Sequence, residues 1–315
     1  MTRPLAALTG ATGFLGAQLV RALDSAGFSV RALARREPSP PGWGEVRPEV
    51  VAGDLADEAA LERLVDGAAV VVHCAAAIKA QDAAGFMSVN RDGTARLAEV
   101  ARRRSPEALF LLVSSLAARA PRVSSYAASK AAAESAAAAT LSPDRLAVVR
   151  PPAIYGPGDR ETLTLFRAAA SSPVLPVLSG PARTALIHVE DAAAQVAALA
   201  VRGGGGSWAL ADDRPEGYGW REILQAAGVA VGRRPWLAPI PPSMLPGLNR
   251  ATGVVGRLFG GCALMSDDKL GELMHPDWAV GRAEMAAGLP PPRYDLATGF
   301  ASAVRWYRAA GWLGQ

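Results

Sequence analysis

Short apolar runs and amphipathic stretches alternate along the first 150 residues of the chain. Residues 5–9 form an apolar run of strand length, residues 17–23 have the spacing of an amphipathic helix, and residues 28–33 return to a strand pattern. Regular alternation of this kind is typical of a doubly wound parallel sheet, because each strand needs a crossover helix before the next. The sequence therefore predicts an α/β fold of the Rossmann type that begins with a βαβ unit.

Three glycines separate the first strand from the first helix. Gly10, Gly13 and Gly16 have the spacing that permits a tight turn, close approach of the backbone to a pyrophosphate and close packing of helix on strand. A Gly-rich turn without function is the alternative for an isolated motif, but the surrounding βαβ unit favours dinucleotide binding. The residues expected at the phosphates are Gly10, Thr12, Gly13, Phe14, Leu15 and Gly16.

The end of the second strand indicates which dinucleotide is bound. An NAD site usually places a carboxylate here for the ribose 2′-hydroxyl, whereas this chain has Arg35 and Arg36 and no acid before Glu37. Two guanidinium groups suit a 2′-phosphate. A solvated basic turn is the alternative in a protein of pI 9.4. We expect NADP(H), with NAD(H) less favoured, and Arg35 as the better candidate of the two arginines.

Tyr126 and Lys130 lie four positions apart in a predicted helix and so share one helix face. A free tyrosine has a pKa near 10, and the adjacent ammonium is expected to lower that pKa by favouring the ionised phenol. A tyrosine tuned in this way can act as a general acid or base. The spacing alone is a weak signal, because two common residue types meet it by chance in many helices.

Further motifs supply the context that this pair lacks. They are Thr9-Gly10-Ala-Thr-Gly13-Phe-Leu-Gly16, Gly53-Asp54-Leu55, Asn90-x-x-Gly93-Thr94, Val113-Ser114-Ser115, Tyr126-x-x-x-Lys130, Arg150-Pro151-Pro-Ala-Ile-Tyr155-Gly156-Pro-Gly158 and Ile187-His188-Val189-Glu190-Asp191. In this order, they resemble the extended short-chain dehydrogenase/reductase superfamily, which includes NAD-dependent epimerases and dehydratases. The later part of the chain is more similar to the hydroxysteroid dehydrogenase and dihydroflavonol reductase branches.

The resemblance implies four catalytic candidates. Tyr126 would exchange a proton with the substrate oxygen, Ser115 would donate a hydrogen bond to that oxygen, and Lys130 would also hold the nicotinamide ribose. Hydride would move to or from carbon 4 of the nicotinamide, so the cofactor supplies the hard chemistry. Asn90 would either hold a proton-relaying water or make a structural hydrogen bond at a helix terminus; the two interpretations have equal weight.

The resemblance also implies the remaining cofactor contacts. Asp54 would bind the adenine amino group, although a turn residue at the end of a strand is the alternative, and Leu55 follows it. The small residues Ala75 and Ala76 after the fourth strand would permit close cofactor approach. The loop containing Pro151 and Ala153 would contact the nicotinamide carboxamide.

The short segment before Tyr126 and the position of Asp191 lead to two further predictions. Only ten residues separate Ser115 from Tyr126, whereas many extended relatives have a longer loop there, so we expect a more open pocket. Asp191 is expected to cap the helix that follows it.

The domain organisation follows from a change of pattern near residue 154. Prolines and glycines become frequent between Tyr155 and Arg183, which indicates that this segment leaves the sheet. We predict a dinucleotide-binding domain of residues 1–154, to which residues 184–212 return. Residues 155–183 and 213–315 are predicted to form a smaller substrate-binding lobe.

Composition narrows the function classes. The 315 residues carry a net charge of +4 and are 50% hydrophobic. Basic residues are scattered, without an aromatic-interleaved patch, so no nucleic-acid partner is expected. No apolar run approaches 18 residues, so no transmembrane segment is expected, and the N-terminus does not have the pattern of a secretory signal, which indicates a cytoplasmic protein. The two cysteines and three histidines lack ligand spacing, so no metal site is expected.

The substrate is a small molecule whose identity the sequence leaves open. The apolar segments 235–248 and 251–264 either pack the core or line an apolar substrate pocket. We favour an NADPH-dependent oxidoreductase acting on the carbonyl or alcohol of a fairly apolar molecule. The alternatives are a nucleotide-sugar epimerase or dehydratase with tightly bound NAD, for which Arg160 or Arg183 would serve the diphosphate, and a non-catalytic NADPH-binding protein. A homodimer is compatible with the resemblance.

Overall fold

The computed structural model describes residues 2–35, 41–244, 247 and 267–314. Within these residues, a seven-stranded parallel sheet has the order β3-β2-β1-β4-β5-β6-β11. The strands are β1 (Leu5–Thr9), β2 (Ser29–Ala34), β3 (Glu49–Ala52), β4 (Val70–His73), β5 (Leu109–Val113), β6 (Leu146–Arg150) and β11 (Gly206–Ala209). This architecture confirms the predicted doubly wound α/β fold. The order reverses between β1 and β4, and a ligand crevice forms at such a reversal outside the carboxyl ends of the strands.

Helices cover both faces of the sheet. On one face lie α1 (Phe14–Ser25) and α7 (Val189–Arg202), and on the other lie α2 (Glu58–Val65), α4 (Gly93–Arg104) and α5 (Ser125–Thr140). A short helix α3 (Ala83–Met87) leads through a π-helical turn, Ser88–Asp92, into α4. Burial on both faces explains why the central strands are apolar without alternation: all five residues of β5 are buried.

A second core lies beyond the main sheet. It packs α6 (Glu161–Ser171), β8 (Val174–Leu178), α8 (Trp220–Ala230), β12 (Trp236–Ile240) and α10 (Leu296–Ala309) around buried aromatic rings. The Phe300 ring meets those of Tyr155 and Phe166 edge to face, with both centroid distances 5.0 Å. These elements come from residues 155–183 and 213–315, while α7 and β11 pack with the first core. The assignment of this region to substrate binding stays a prediction.

Three short parallel strand pairs lie outside the main sheet. They are β7 (Ala153–Tyr155) with β10 (Leu186–His188), β8 with β12, and β9 (Arg183–Thr184) with β13 (Asp277–Trp278). Helix α9 (Asp267–Met274) precedes β13. Short 3₁₀ turns span Pro41–Trp43, Leu116–Arg119, Pro242–Met244 and Arg282–Glu284.

The expectation that Asp191 caps α7 is wrong. His188 is the N-cap residue, and its Nδ1 accepts a hydrogen bond from the backbone N–H of Glu190. The Asp191 carboxylate instead accepts from the backbone N–H groups of Arg293 and Tyr294, at 3.0 and 3.1 Å. It therefore attaches the chain before α10 to α7 in the first core, a contact between residues far apart in sequence.

The glycine turn after β1 depends on the absence of side chains. Gly10 has a φ of +78°, and a Cβ added there would lie 2.6 Å from the backbone nitrogen of Ala75. A Cβ added to Gly16 would lie 1.9 Å from the carbonyl oxygen of Gly10. The first helix can therefore approach the strand end only with glycine at position 16.

We predict that Gly16→Ala destabilises the protein by about 1–3 kcal/mol, because the added methyl forces the helix away from the turn. Urea unfolding without cofactor measures the effect. Gly314→Ala is the control, since an added Cβ there meets no atom within 4 Å. Equal unfolding midpoints for the two variants would contradict this account of the turn.

Candidate active and cofactor site

The N-terminus of α1 forms the first wall of the candidate site. Its N-cap residue, Gly13, has no side chain to accept from the first helical N–H groups, and no side-chain cap replaces it. Thr12 and Gly13 are exposed, Phe14 is half-buried, and Leu15 and Gly16 are buried. Free N–H groups at a helix N-terminus favour an anion. The turn thus has the properties that a pyrophosphate requires, and the residues fit a dinucleotide.

The ends of β2 and β3 provide the groups predicted for the adenosine. Arg35 directly follows β2, is exposed, and forms no ion pair or hydrogen bond with any other described residue. Arg36 lies outside the described residues. Asp54 is also exposed, and its Oδ1 accepts from the backbone N–H of Ala56 at 2.8 Å. This contact matches the turn interpretation of Asp54, and its contact with adenine stays a prediction. Leu55 packs beside Gly93.

Ser115, Tyr126 and Lys130 meet at the carboxyl end of β5. Ser115 lies two residues after that strand, near enough to Tyr126 on the first turn of α5 for its hydroxyl to influence the phenol. The Lys130 ammonium donates to the carbonyl of Val113, the last residue of β5, at 2.8 Å. The structure therefore brings the three predicted residues together, since strand end and helix start adjoin in a βα unit.

The expected lowering of the Tyr126 pKa is wrong for the protein alone. Burial raises this pKa to about 12, against a smaller opposing effect of the Ser115 hydrogen bond. Burial also lowers the pKa of Lys130 to about 8. Desolvation disfavours the charged form of each group, and here it outweighs the attraction that the sequence spacing suggested.

The predicted cofactor residues after β4 and β6 lie at the edge of the sheet that is formed by the carboxyl ends of the strands. Ala75 donates its backbone N–H to the Thr9 hydroxyl at 3.2 Å, and Ala76 is half-buried beside it. The carbonyl of Pro151 accepts from the Leu116 backbone at 2.8 Å, and Ala153 begins β7. The two loops thus border the turn after β1 and the segment after Ser115 respectively.

Asn90 connects the loop after β4 to the helix that carries Tyr126. Its Oδ1 accepts from the backbone N–H of Ala77 at 2.7 Å. Its Nδ2 donates to the Ala77 carbonyl at 3.0 Å and to the Ser129 hydroxyl at 2.8 Å. Both amide hydrogens are thereby used. These contacts give Asn90 a structural function in the protein alone, while a part in proton relay stays a prediction.

A buried polar chain adjoins Asn90, and the sequence did not reveal it. Thr94 donates to the Asn90 carbonyl, so its oxygen must accept from His73 Nε2, at 2.9 Å. His73 Nδ1 is then the acceptor for the Thr9 hydroxyl at 2.7 Å. Burial lowers the His73 pKa to about 3, which keeps the ring neutral. The only sequence signal was a polar residue at the end of an apolar strand.

A second group attaches α5 to the sheet. Glu134 lies one turn after Lys130 and accepts two hydrogen bonds from Arg150, at 2.9 and 2.6 Å, as well as one from Ser114. A bidentate pair of this kind fixes direction as well as distance. An isolated acid in an alanine-rich helix was the available sequence signal for Glu134.

The short segment between Ser115 and Tyr126 is contacted by residues from near the end of the chain. Arg119 forms an ion pair with Glu284 at 3.1 Å and donates to the Ala279 carbonyl at 2.8 Å. The openness of the pocket stays a prediction.

Other groups in the described residues offer little further chemistry. Burial raises the pKa of the Cys74 thiol to about 12, so it stays protonated; Cys262 lies outside the described part of the chain. Among the residues described, no cluster of His, Cys, Asp and Glu could hold a metal ion. The described helices include none with the length and apolar character needed to cross a membrane.

Comparisons with known proteins agree with this geometry. The ceramide reductase of Caulobacter vibrioides is 49% identical over 314 residues, which cover 99% of this chain and 96% of that protein. The solved Bordetella bronchiseptica enzyme WbmH, in complex with NAD⁺, has a TM-score of 0.72 at 18% identity, covering 98% of this chain and 99% of that one. A UDP-N-acetylglucosamine 4-epimerase from Bacillus cereus has a TM-score of 0.68 at 18% identity, covering 99% and 98%.

The family comparison settles the resemblance that the motifs suggested. Residues 6–207 match the model of the NAD dependent epimerase/dehydratase family, which spans more than half of the chain. The solved structures above, whose identity is low, share the fold. The chain thus belongs to the NAD dependent epimerase/dehydratase family, within the extended short-chain dehydrogenase/reductase superfamily.

Proposed function

We propose that this protein is an NADP(H)-dependent oxidoreductase that interconverts a ketone and a secondary alcohol on a ceramide-type lipid. The observation that carries the proposal is the placement of Ser115 and Tyr126 beside the buried Lys130, at the sheet edge that also carries the uncapped helix N-terminus. The 49% identity, over 99% of this chain, to a protein named ceramide reductase supports the substrate class.

Each catalytic residue has a separate task. The Ser115 hydroxyl polarises the substrate carbonyl by donating a hydrogen bond, and the Tyr126 phenol delivers a proton to the same oxygen. Lys130 stabilises the ionised phenol that remains and holds the ribose hydroxyls. Bound NADPH supplies the hydride. In the reverse direction the Tyr126 phenolate accepts the proton of the alcohol.

The chemistry of a ceramide fits these tasks. A ceramide carries a secondary alcohol beside the carbon that bears its amide nitrogen, and the oxidised form of that alcohol is a ketone. Its two long chains require apolar surroundings. Ile78, directly after the loop that Asn90 holds, is 65% exposed and supplies one such surface at the rim of the site. We propose that residues 155–183 and 213–315 form the lobe that binds this lipid.

A nucleotide-sugar epimerase is the second candidate, because the family and the solved neighbours include such enzymes. That activity needs free cations for the diphosphate. The two arginines considered for this purpose are already engaged: Arg183 pairs with Glu222 at 3.1 Å, and Arg160 lies over the Trp312 ring at 4.9 Å. These contacts favour the lipid substrate.

We predict that Tyr126→Phe lowers kcat about 10²- to 10⁴-fold, because the proton donor is lost, while the Kd for NADPH stays within about twofold. NADPH oxidation with a short-chain ketone analogue of ceramide measures the turnover, with UDP-glucose as a comparison substrate. Tyr294→Phe, which removes a hydroxyl that contacts Glu190, is the control. Undiminished turnover in Tyr126→Phe would refute the assigned proton donor, and turnover of UDP-glucose alone would refute the lipid substrate.

We also predict that wild-type protein binds NADPH more tightly than NADH, and that Arg35→Ala weakens NADPH binding about 10- to 100-fold, since a charge-assisted contact to the 2′-phosphate is lost. NADH affinity should be unchanged. Fluorescence titration measures both, with Arg21→Ala on α1 as the control for removal of an exposed arginine. Equal affinity of the wild type for the two cofactors would instead support NAD, which the neighbouring structures contain.

A further inference from the structure

Helix α9 comes from the end of the chain and docks on the segment before Tyr126. Gly271 faces that segment so closely that an added Cβ would lie 2.4 Å from the carbonyl oxygen of Val123. The strand after α9 also contacts the helix, because Trp278 of β13 donates its indole N–H to the carbonyl of Glu272 at 2.8 Å. The position of α9 against the catalytic helix is therefore defined by backbone contact as well as by side chains.

Two carboxylates of α9 then bind the beginning of α5. Asp268 Oδ2 accepts from the backbone N–H of Ser125 at 3.0 Å. Glu272 Oε1 accepts from the hydroxyl of Ser124, the N-cap residue of α5, at 2.7 Å. The two acids lie one turn apart on α9, and the helix N-terminus that they approach has a favourable potential for negative charge.

We propose that Asp268 and Glu272 are positioning residues that hold the first turn of the catalytic helix and thereby orient Tyr126. The first turn of α5 contains Ser125 and Tyr126, so any movement of the cap moves the phenol. Ser124 itself accepts from the backbone N–H of Ala127 at 3.0 Å, which lets Glu272 fix the hydroxyl that caps the helix. The C-terminal region thus completes a site whose reacting groups belong to the dinucleotide-binding side.

Glu272 also acts on Tyr126 through its charge. The Glu272 carboxylate is hydrogen-bonded to Ser124, two residues before Tyr126, and the Phe86 ring packs against that of Tyr126. The Ser115 hydroxyl, the Cys74 thiol and the Glu272 carboxylate influence the phenol, and Lys130 lies one turn further along its own helix. The negative charge of Glu272 raises the Tyr126 pKa. Lys269 lies 3.5 Å from Glu272 and moderates that charge.

Four variants separate geometry from charge. Asp268→Ala removes an acceptor, and Gly271→Ala displaces α9 without changing any charge. Glu272→Gln retains an acceptor for Ser124 but removes the charge, whereas Glu272→Ala removes both. Asp277→Ala is the control, because Asp277 lies in β13, beyond α9, and its carboxylate accepts from the backbone N–H of Ala279.

We expect Asp268→Ala, Gly271→Ala and Glu272→Ala to speed amide hydrogen exchange in peptides covering residues 123–130. They should also lower kcat about 10- to 100-fold, with the Kd for NADPH within about twofold of wild type. Glu272→Gln should retain most of kcat.

The pH profile of alcohol oxidation tests the charge of Glu272. Tyr126 must ionise to act as the base in this direction, so kcat rises with pH. Both Glu272 variants remove a charge that raises the Tyr126 pKa, so the rise of kcat should occur at lower pH.

This inference rests on the proposed function only for its kinetic measurements. Hydrogen exchange needs neither cofactor nor substrate, so it tests the docking of α9 even if the lipid is not turned over. Exchange and kcat in the alanine variants that match those of Asp277→Ala would overturn the proposal. An unchanged pH midpoint in Glu272→Gln, which retains the Ser124 contact and is expected to fold, would overturn the effect of the charge.

Discussion

The burial of one ammonium group constrains the architecture of the whole site. Lys130 is only 3% exposed, and burying a cation without partners is costly. The carbonyl of Val113 accepts from it directly, and the negative charge of Glu134, one turn along the same helix, favours its charged form. Helix α5 must therefore hold a fixed rotation and height above β5. The same fixed placement puts Tyr126 near Ser115, so the geometry proposed for catalysis follows from the way in which the buried charge is accommodated.

Fixed contacts along α5 maintain this placement. The bidentate pair of Glu134 with Arg150 attaches the middle of the helix to β6. Ser129 connects it through Asn90 to the loop after β4, where the neutral His73 joins the ends of two strands. The contacts from α9 fix its first turn. Regions that are far apart in sequence thus hold α5 in one position.

Local features of the site were predictable, and long-range ones were not. The glycine turn and the placement of Ser115 beside Tyr126 follow from spacing along a βα unit, which short sequence patterns record. The pKa of Tyr126 was mispredicted because burial is a property of the packed protein rather than of the helix face. The contacts of Asp268 and Glu272 with α5 were not predictable for a related reason. Nothing in the sequence of an acidic helix indicates which distant helix N-terminus it will contact.

The proposed reaction is a net transfer of hydride that is coupled to proton delivery by Tyr126. An epimerase returns the hydride to its substrate, whereas the proposed oxidoreductase transfers it from cofactor to product. The two activities are distinguished by NADPH deuterated at carbon 4, in both stereochemical forms, with the ketone form of a ceramide analogue, and mass spectrometry of the lipid. We expect one deuterium on the carbon that bears the new hydroxyl, from one form only, with stoichiometric NADP⁺. Product without deuterium from either form, or with the cofactor unchanged, would contradict it.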